Sequence, residues 1–281
     1  MSFLATLSAN DVVAQYVAAY QAVQTYTSSI GNIGPPGDAS SYPNWQAAQA
    51  ALLQGKQAAL DWPNRVAAPA KEVPASITNW DPELAGLIAN LKVQAQPPLT
   101  DAKKKQIAAD ANNILKILGQ KAGEFSGLVT DLSSLAGALS QAHTTITGCH
   151  NAIQNDIGNY RNTRSQLIGK LQAEGSKICP SHTYMRQLQN EILQQQAQTN
   201  AAIDWENTVD QVYNLAVEAV PSAQFLQGFW QGIGEGIAQA SAAAKKLPQD
   251  PSGVLLLDIQ QIANTWSRVQ QEMAKISQQL P

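Results

Sequence analysis

The feature that most constrains this chain is a long apolar stripe between Ile107 and Leu171, a stretch that contains no proline. Its positions follow one another mostly in alternating steps of three and four, the spacing of one face of an α-helix with a heptad-like period. An unbroken helix there would be ~100 Å long, so other long helices must cover its stripe. The stripe occupies positions 107, 111, 114, 118, 125, 128, 132, 135, 139, 142, 146, 149, 153, 157, 160, 167 and 171.

Helical spacing continues on the N-terminal side of this stretch. We expect a first helix from about Asn10 to Ser29 and a second helical region from about Tyr42 to Leu91. Proline inside a helix removes a hydrogen bond, so the second region should be kinked or split near Pro69 or Pro82. Thr100 is expected to cap the long helix that follows.

On the C-terminal side, a return helix should begin around Thr183 and be interrupted at Pro221. A last helix is predicted from the stripe Leu256, Ile259, Ile262, Trp266, Val269, Met273, Ile276 and Leu280.

These patterns together predict an all-α fold without extensive β-sheet. We expect an elongated antiparallel bundle of about five long helices with a small helical head, forming a single domain over residues 1–281. The head, or a membrane-active segment, is expected within 215–250, and a tip within 174–184.

The charge balance argues against a nucleic-acid partner. The 18 Lys and Arg residues are outnumbered by 21 Asp and Glu, and the charges are spread along the chain. The largest basic cluster is Lys103–Lys105, whereas nucleic-acid binding usually shows a concentrated basic face. The sequence contains no run of about 18 apolar residues, and its first residues lack the basic start of a secretory signal.

No catalytic or ligand-binding motif is recognisable, so the sequence predicts neither an enzyme nor a cofactor. His143 and His150 could share a helix face, but they are too few to hold a metal ion, and none is expected. The glycines of residues 228–236 lack the strand and the Lys-Ser/Thr pair of a phosphate loop. Cys149 and Cys179 are either unpaired or joined across a bend.

Two segments are candidates for membrane contact. In the first, glycines alternate with large apolar residues, a composition that allows close helix packing in lipid. The alternative is a tightly packed core helix. The residues of this first candidate are Phe225, Leu226, Phe229, Trp230, Ile233 and Ile237.

The second candidate is the N-terminal stretch containing Phe3, Leu4 and Leu7, which is amphipathic and bare of Lys and Arg. The alternative is that it simply begins the first helix of the bundle.

Three stretches, in order along the chain, resemble a known family. They are residues 58–69, with Trp62 and Pro69, followed by Ile77 and Trp80; the long helix around Phe125, Leu128, Asp131 and Leu132; and the last helix around Ile259, Ile262, Trp266 and Val269. Together they resemble the cytolysin A-like α-helical pore-forming toxins, including the haemolysin BL and non-haemolytic enterotoxin components.

The resemblance implies a secreted toxin component that changes from a soluble form into a membrane-associated oligomer. It also implies as partners the lipid membrane of a target cell, other toxin components and, in some members, copies of the chain itself. In the family a hydrophobic tongue usually follows the long helix, but here Glu174–Tyr184 is short and polar. This departure favours a component that completes a pore with partner subunits. The alternative function is a structural or adaptor coiled-coil protein that never enters lipid.

Overall fold

The computed structural model describes residues 9–249 and 252–280, and these residues are mostly α-helical. Their α-helices are α1 (Ala9–Ile30), α2 (Trp45–Ala59), α3 (Ala67–Gln94), α4 (Asp101–Gly175), α5 (His182–Lys246) and α6 (Ser252–Gln279). A 3₁₀ turn at Ala39–Ser41 and a π-helical turn at Trp62–Val66 precede α2 and α3 respectively. No strand occurs within the described ranges, which confirms the predicted all-α class.

Helix α4 confirms the main expectation from the sequence, since its 75 residues run unbroken through Ile107 and Leu171. The predicted stripe is buried along its length except at Cys149, Tyr160 and Leu171, which are half-buried. The cap is also as predicted: Thr100 Oγ1 accepts a hydrogen bond from the Lys103 backbone N–H at 3.3 Å.

The second helical region is split at a different place from the two prolines that were expected to split it. The chain between Tyr42 and Leu91 breaks at the π-helical turn, which has Pro63 near its start, and not at Pro69 or Pro82. Pro69 is the third residue of α3, directly after the π-helical turn, and the helix continues through it. Pro82 lies inside the continuous α3.

Helix α5 also passes through its proline. The interruption expected at Pro221 is absent, because α5 is one helix from His182 to Lys246 with Pro221 inside it. The stripe predicted for α6 was wrong at one position as well. It included Leu256, which is 37% exposed, whereas its neighbour Leu255 is buried.

The chain divides into two compact units, and both α4 and α5 contribute to each of them. Unit 1 comprises the described parts of Met1–Gln24, Asp61–Ala136 and Pro221–Pro281. In unit 1, α3 packs against α6, and Tyr20 of α1 packs edge-on against Trp62, whose indole N–H donates to Gln24 Oε1 at 2.7 Å.

Unit 2 comprises Thr25–Leu60 and Gly137–Val220. Buried aromatic side chains connect separate elements of unit 2 by hydrogen bonds. Trp205 of α5 donates its indole N–H to the Ala39 carbonyl at 3.0 Å, and the Tyr26 hydroxyl donates to the Gly55 carbonyl at 2.9 Å. Gly55 is tightly packed, since a Cβ there would lie 2.9 Å from Ile30 Cδ1 and 3.3 Å from Val212 Cγ1.

Candidate membrane-active segment

The first membrane candidate is part of the core of unit 1. Leu226, Phe229, Trp230 and Ile233 are fully buried and Ile237 is 3% exposed, whereas Phe225 is half-buried. These residues occupy the C-terminal part of α5. In this state of the protein, therefore, the apolar surface of the segment is covered by protein.

An aromatic cluster holds the segment in place. Phe229 and Trp230 pack on Tyr16 of α1, with ring centroids 4.9 Å and 6.2 Å from its ring, and Phe125 of α4 stacks on Trp230 at 5.8 Å. Such pairs add to the stability that burial alone provides. The cluster thus joins three helices of unit 1 around the candidate segment.

A hydrogen-bond relay runs through the same cluster. The Trp230 indole N–H donates to the Tyr16 hydroxyl oxygen at 3.1 Å, and that hydroxyl donates to the Ala70 carbonyl of α3 at 3.1 Å. Burial raises the pKa of Tyr16, although the hydrogen bond from Trp230 opposes this change. Tyr16 is therefore a neutral donor that satisfies two buried groups.

Two glycines of the segment have no packing requirement in this fold. A Cβ placed on Gly228 or Gly234 would meet no heavy atom within 4 Å among its described neighbours. Glycine in a helix interior costs about 1 kcal/mol relative to alanine. Close helix contact therefore does not explain these two glycines. Gly234 instead borders an open groove of about 560 Å³ between α4 and α5, beside Phe125 and Trp230.

The entry of a segment into lipid stays a prediction. None of the helices in the described ranges has a stretch apolar and long enough to cross a membrane. The second candidate residues, Phe3, Leu4 and Leu7, lie outside the described residues.

The predicted tip is a short polar turn in unit 2 between the end of α4 and the start of α5. The Glu174 carboxylate organises it, accepting hydrogen bonds from Lys177 Nζ at 2.5 Å and the Ser181 N–H at 2.9 Å. Both bonds lower the pKa of Glu174. Ile178 is fully exposed at this turn. Cys179 is exposed nearby and, like Cys149, is a free thiol, so the structure contains no bridge between the two.

The two helix-face histidines take part in ring stacking. Tyr213 of α5 stacks on both His143 and His150 of α4, with centroid distances of 5.4 Å and 5.7 Å. His150 Nε2 lies 3.7 Å from Asp210 Oδ1. Within the described part of the chain, no group of three or more potential ligands is arranged to hold a metal ion.

The residue types and spacing identified the apolar residues of the segment but not the contacts that hold them. Tyr16 lies in the predicted first helix and Phe125 in the stripe of the long helix, and nothing in their spacing indicated that both would meet Trp230. A signal was available in the residue type, because a buried tyrosine or tryptophan usually finds a hydrogen-bond partner.

Comparison of sequences finds no protein-family model that matches the chain and no similar sequence among the curated proteins. Structural comparison does find solved structures with a similar fold. AhlB from the pore of the tripartite α-pore-forming toxin AHL of Aeromonas hydrophila superposes with a TM-score of 0.67 at 12% identity, covering 92% of this chain and 97% of its own.

Two further solved structures have a similar fold. XaxA of Xenorhabdus nematophila has a TM-score of 0.68 at 10% identity, covering 94% of this chain and 96% of its own. Soluble AhlC of the AHL toxin has a TM-score of 0.64 at 10% identity, covering 95% and 99%. The chain thus has the fold of α-pore-forming toxin components, which confirms at the level of fold the resemblance found in the sequence.

Proposed function

We propose that this chain is a non-enzymatic component of an α-helical pore-forming toxin, secreted in soluble form and assembled with partner subunits on a target-cell membrane. The fold supports this proposal, and one observation carries it: the apolar segment containing Phe229 and Trp230 is buried and held by a single hydrogen-bond relay. Gly228 and Gly234 of the same helix are not needed by the packing, which is also true of Gly119 and Gly123 of α4.

The proposed mechanism exchanges protein burial for lipid burial. A Phe or Trp side chain buries about 150–250 Å², so each such residue is worth roughly 4–6 kcal/mol in either environment. Moving these side chains from protein to lipid surroundings therefore changes their free energy of burial little. The main cost of release is the loss of the Trp230–Tyr16–Ala70 relay and of the aromatic packing. In lipid, Gly228 and Gly234 would allow close approach of neighbouring helices.

The experiment compares two pairs of glycine substitutions in the full chain. In G228A/G234A and in the control G119A/G123A on α4, each new Cβ enters open space. Each pair should stabilise the folded protein by about 1–2 kcal/mol through helix propensity. Thermal melts establish that the two variants gain similar stability. Lysis of red cells and leakage of liposomes, with and without candidate partner components, then report function.

We expect G228A/G234A to lose lytic activity more strongly than G119A/G123A. An equal response of the two variants would show that the glycines of the segment have no role in the membrane state. Absence of membrane binding by the wild-type chain with every partner combination would refute the proposed function. Formation of multimers without liposome binding would instead favour a structural or adaptor role.

A further inference from the structure

Helix order in unit 1 brings separate groups of lysines to one end of that unit. Helix α3 ends there at Gln94 and α4 begins at Asp101, and α5 ends there at Lys246 while α6 begins at Ser252. The exposed or half-buried lysines at this end come from the last turns of α3 and α5 and the first turn of α4. They are Lys92, Lys103, Lys104, Lys105, Lys245 and Lys246.

The register of α4 and α5 places the lysines of these two helices at similar heights along the helix axes. The two helices are antiparallel, and Phe125 stacks on Trp230 in unit 1. At ~1.5 Å per residue, Lys104 lies ~32 Å from Phe125 along α4, and Lys246 lies ~24 Å from Trp230 along α5. The two lysine groups are therefore within ~10 Å of each other along the helix axes.

The same end has a local surplus of positive charge. Its six lysines are a third of the 18 Lys and Arg residues in a chain with a net charge of −3. Acidic residues do accompany them: Asp101, which pairs with Lys104 at 3.9 Å, buried Asp110 of α4, half-buried Asp258, and Asp250 in the sequence. Six positive charges against these four leave a surplus of two.

Apolar side chains are exposed among these lysines. Val93 in the last turn of α3 is 66% exposed, and Leu257 near the start of α6 is 69% exposed. Val254 and Leu256 are 43% and 37% exposed. Exposed apolar residues beside lysines are the combination found on protein surfaces that lie in the headgroup region of a bilayer.

From this combination we propose that this end, called here the cationic end, docks on membranes that contain anionic lipid. The lysines contact lipid phosphate and carboxylate groups, and Val93 and Leu257 enter the interface. The inference deepens the proposed function, on which it rests, by supplying the first contact with the membrane. Docking also brings the candidate segment close to lipid, since Ile237 is only nine residues before Lys246 in α5.

The test measures binding of the full chain to sedimentable vesicles. One set is phosphatidylcholine alone and the other contains about a third phosphatidylserine, which carries the negative charge. The docking variant is K105Q/K245Q/K246Q. Its matched control is R161Q/K170Q/R186Q, which removes the same charge from exposed positions of unit 2.

We expect the wild-type chain to prefer the anionic vesicles and to lose most of this preference at about 1 M salt, where the screening length falls to about 3 Å. Each lysine should contribute about fivefold, so the docking variant should bind about a hundredfold more weakly. The control should change by less than about threefold, since its positions lie outside the cationic end. L257Q should weaken binding about tenfold, and this loss should persist at high salt.

Equal binding to neutral and anionic vesicles, or equal losses in the docking variant and the control, would overturn the inference. So would a docking variant that binds vesicles normally but no longer assembles with a partner component, because the cationic end would then contact an acidic protein. Dye release, measured separately, tests the proposed function. Docking that requires the three lysines supports the inference even if no partner combination releases dye.

Discussion

The relay through Tyr16 allows a direct test of what keeps the candidate segment folded. Substituting Tyr16→Phe removes the oxygen that accepts from Trp230 and donates to Ala70, in a site where both ring systems are fully buried. A buried donor left without a partner costs about 1–3 kcal/mol. We expect Y16F to destabilise unit 1 by about 2 kcal/mol.

A double-mutant cycle separates the contribution of the hydrogen-bond relay to stability from that of side-chain packing. Trp230→Phe removes the indole donor, so Y16F in the W230F background leaves no orphaned N–H. The double variant should therefore be more stable than the sum of the single effects predicts, by about 1 kcal/mol. Tyr20→Phe is the control, because the Tyr20 hydroxyl lies 3.5 Å from the Ala67 carbonyl and its loss should cost under about 1 kcal/mol.

Hydrogen exchange read by mass spectrometry suits this test, because it reports the opening free energy of peptides from unit 1 alone. If the segment is released on membranes, Y16F should also bind vesicles faster than Y20F. If Y16F is no more costly than Y20F, or if the Y16F and W230F effects simply add, the hydrogen-bond relay does not hold the segment in the folded protein.

Three further predictions concern single side chains. G55A should be about 1 kcal/mol less stable than the wild type, because its Cβ would crowd Ile30, whereas G137A, which enters open space, should gain about 1 kcal/mol in the same thermal melts. Burial raises the pKa of Glu272, so its ionisation opposes folding at neutral pH. E272Q should therefore raise the melting temperature near neutrality. This gain should vanish in acid, where the carboxyl of the wild type is protonated. Hydrogen bonds lower the pKa of Glu174, so the opposite holds: E174Q should lower the melting temperature at neutral pH, and this loss should disappear as the pH falls through the folded-state pKa.

The sequence was sufficient for the fold class because helix periodicity is a local property. The stripe through α4 could be read from spacing alone, and its burial follows from the need to cover it. Prolines were harder to interpret, because spacing does not show whether a helix can tolerate the lost hydrogen bond. Pro82 and Pro221 both lie within continuous helices, so the hydrogen bond that each proline removes does not end either helix.

The candidate site was only partly predictable, for a related reason. The residue types of Phe229 and Trp230 identified an unusual segment, but its partners Tyr16 and Ala70 lie far away in the sequence. The cationic end shows the same limit. Lys92, Lys103–Lys105 and Lys245–Lys246 belong to three helices, and only the order and direction of those helices bring them together.

The turn between α4 and α5 provides a natural site for a spectroscopic probe. Cys179 is exposed there, whereas Cys149 is half-buried and its pKa is raised by burial, which makes its reactive thiolate scarcer. A maleimide fluorophore should therefore label Cys179 first, without any engineered cysteine. Quenchers placed at different depths of the bilayer would then measure how far this turn lies from lipid while the cationic end is bound.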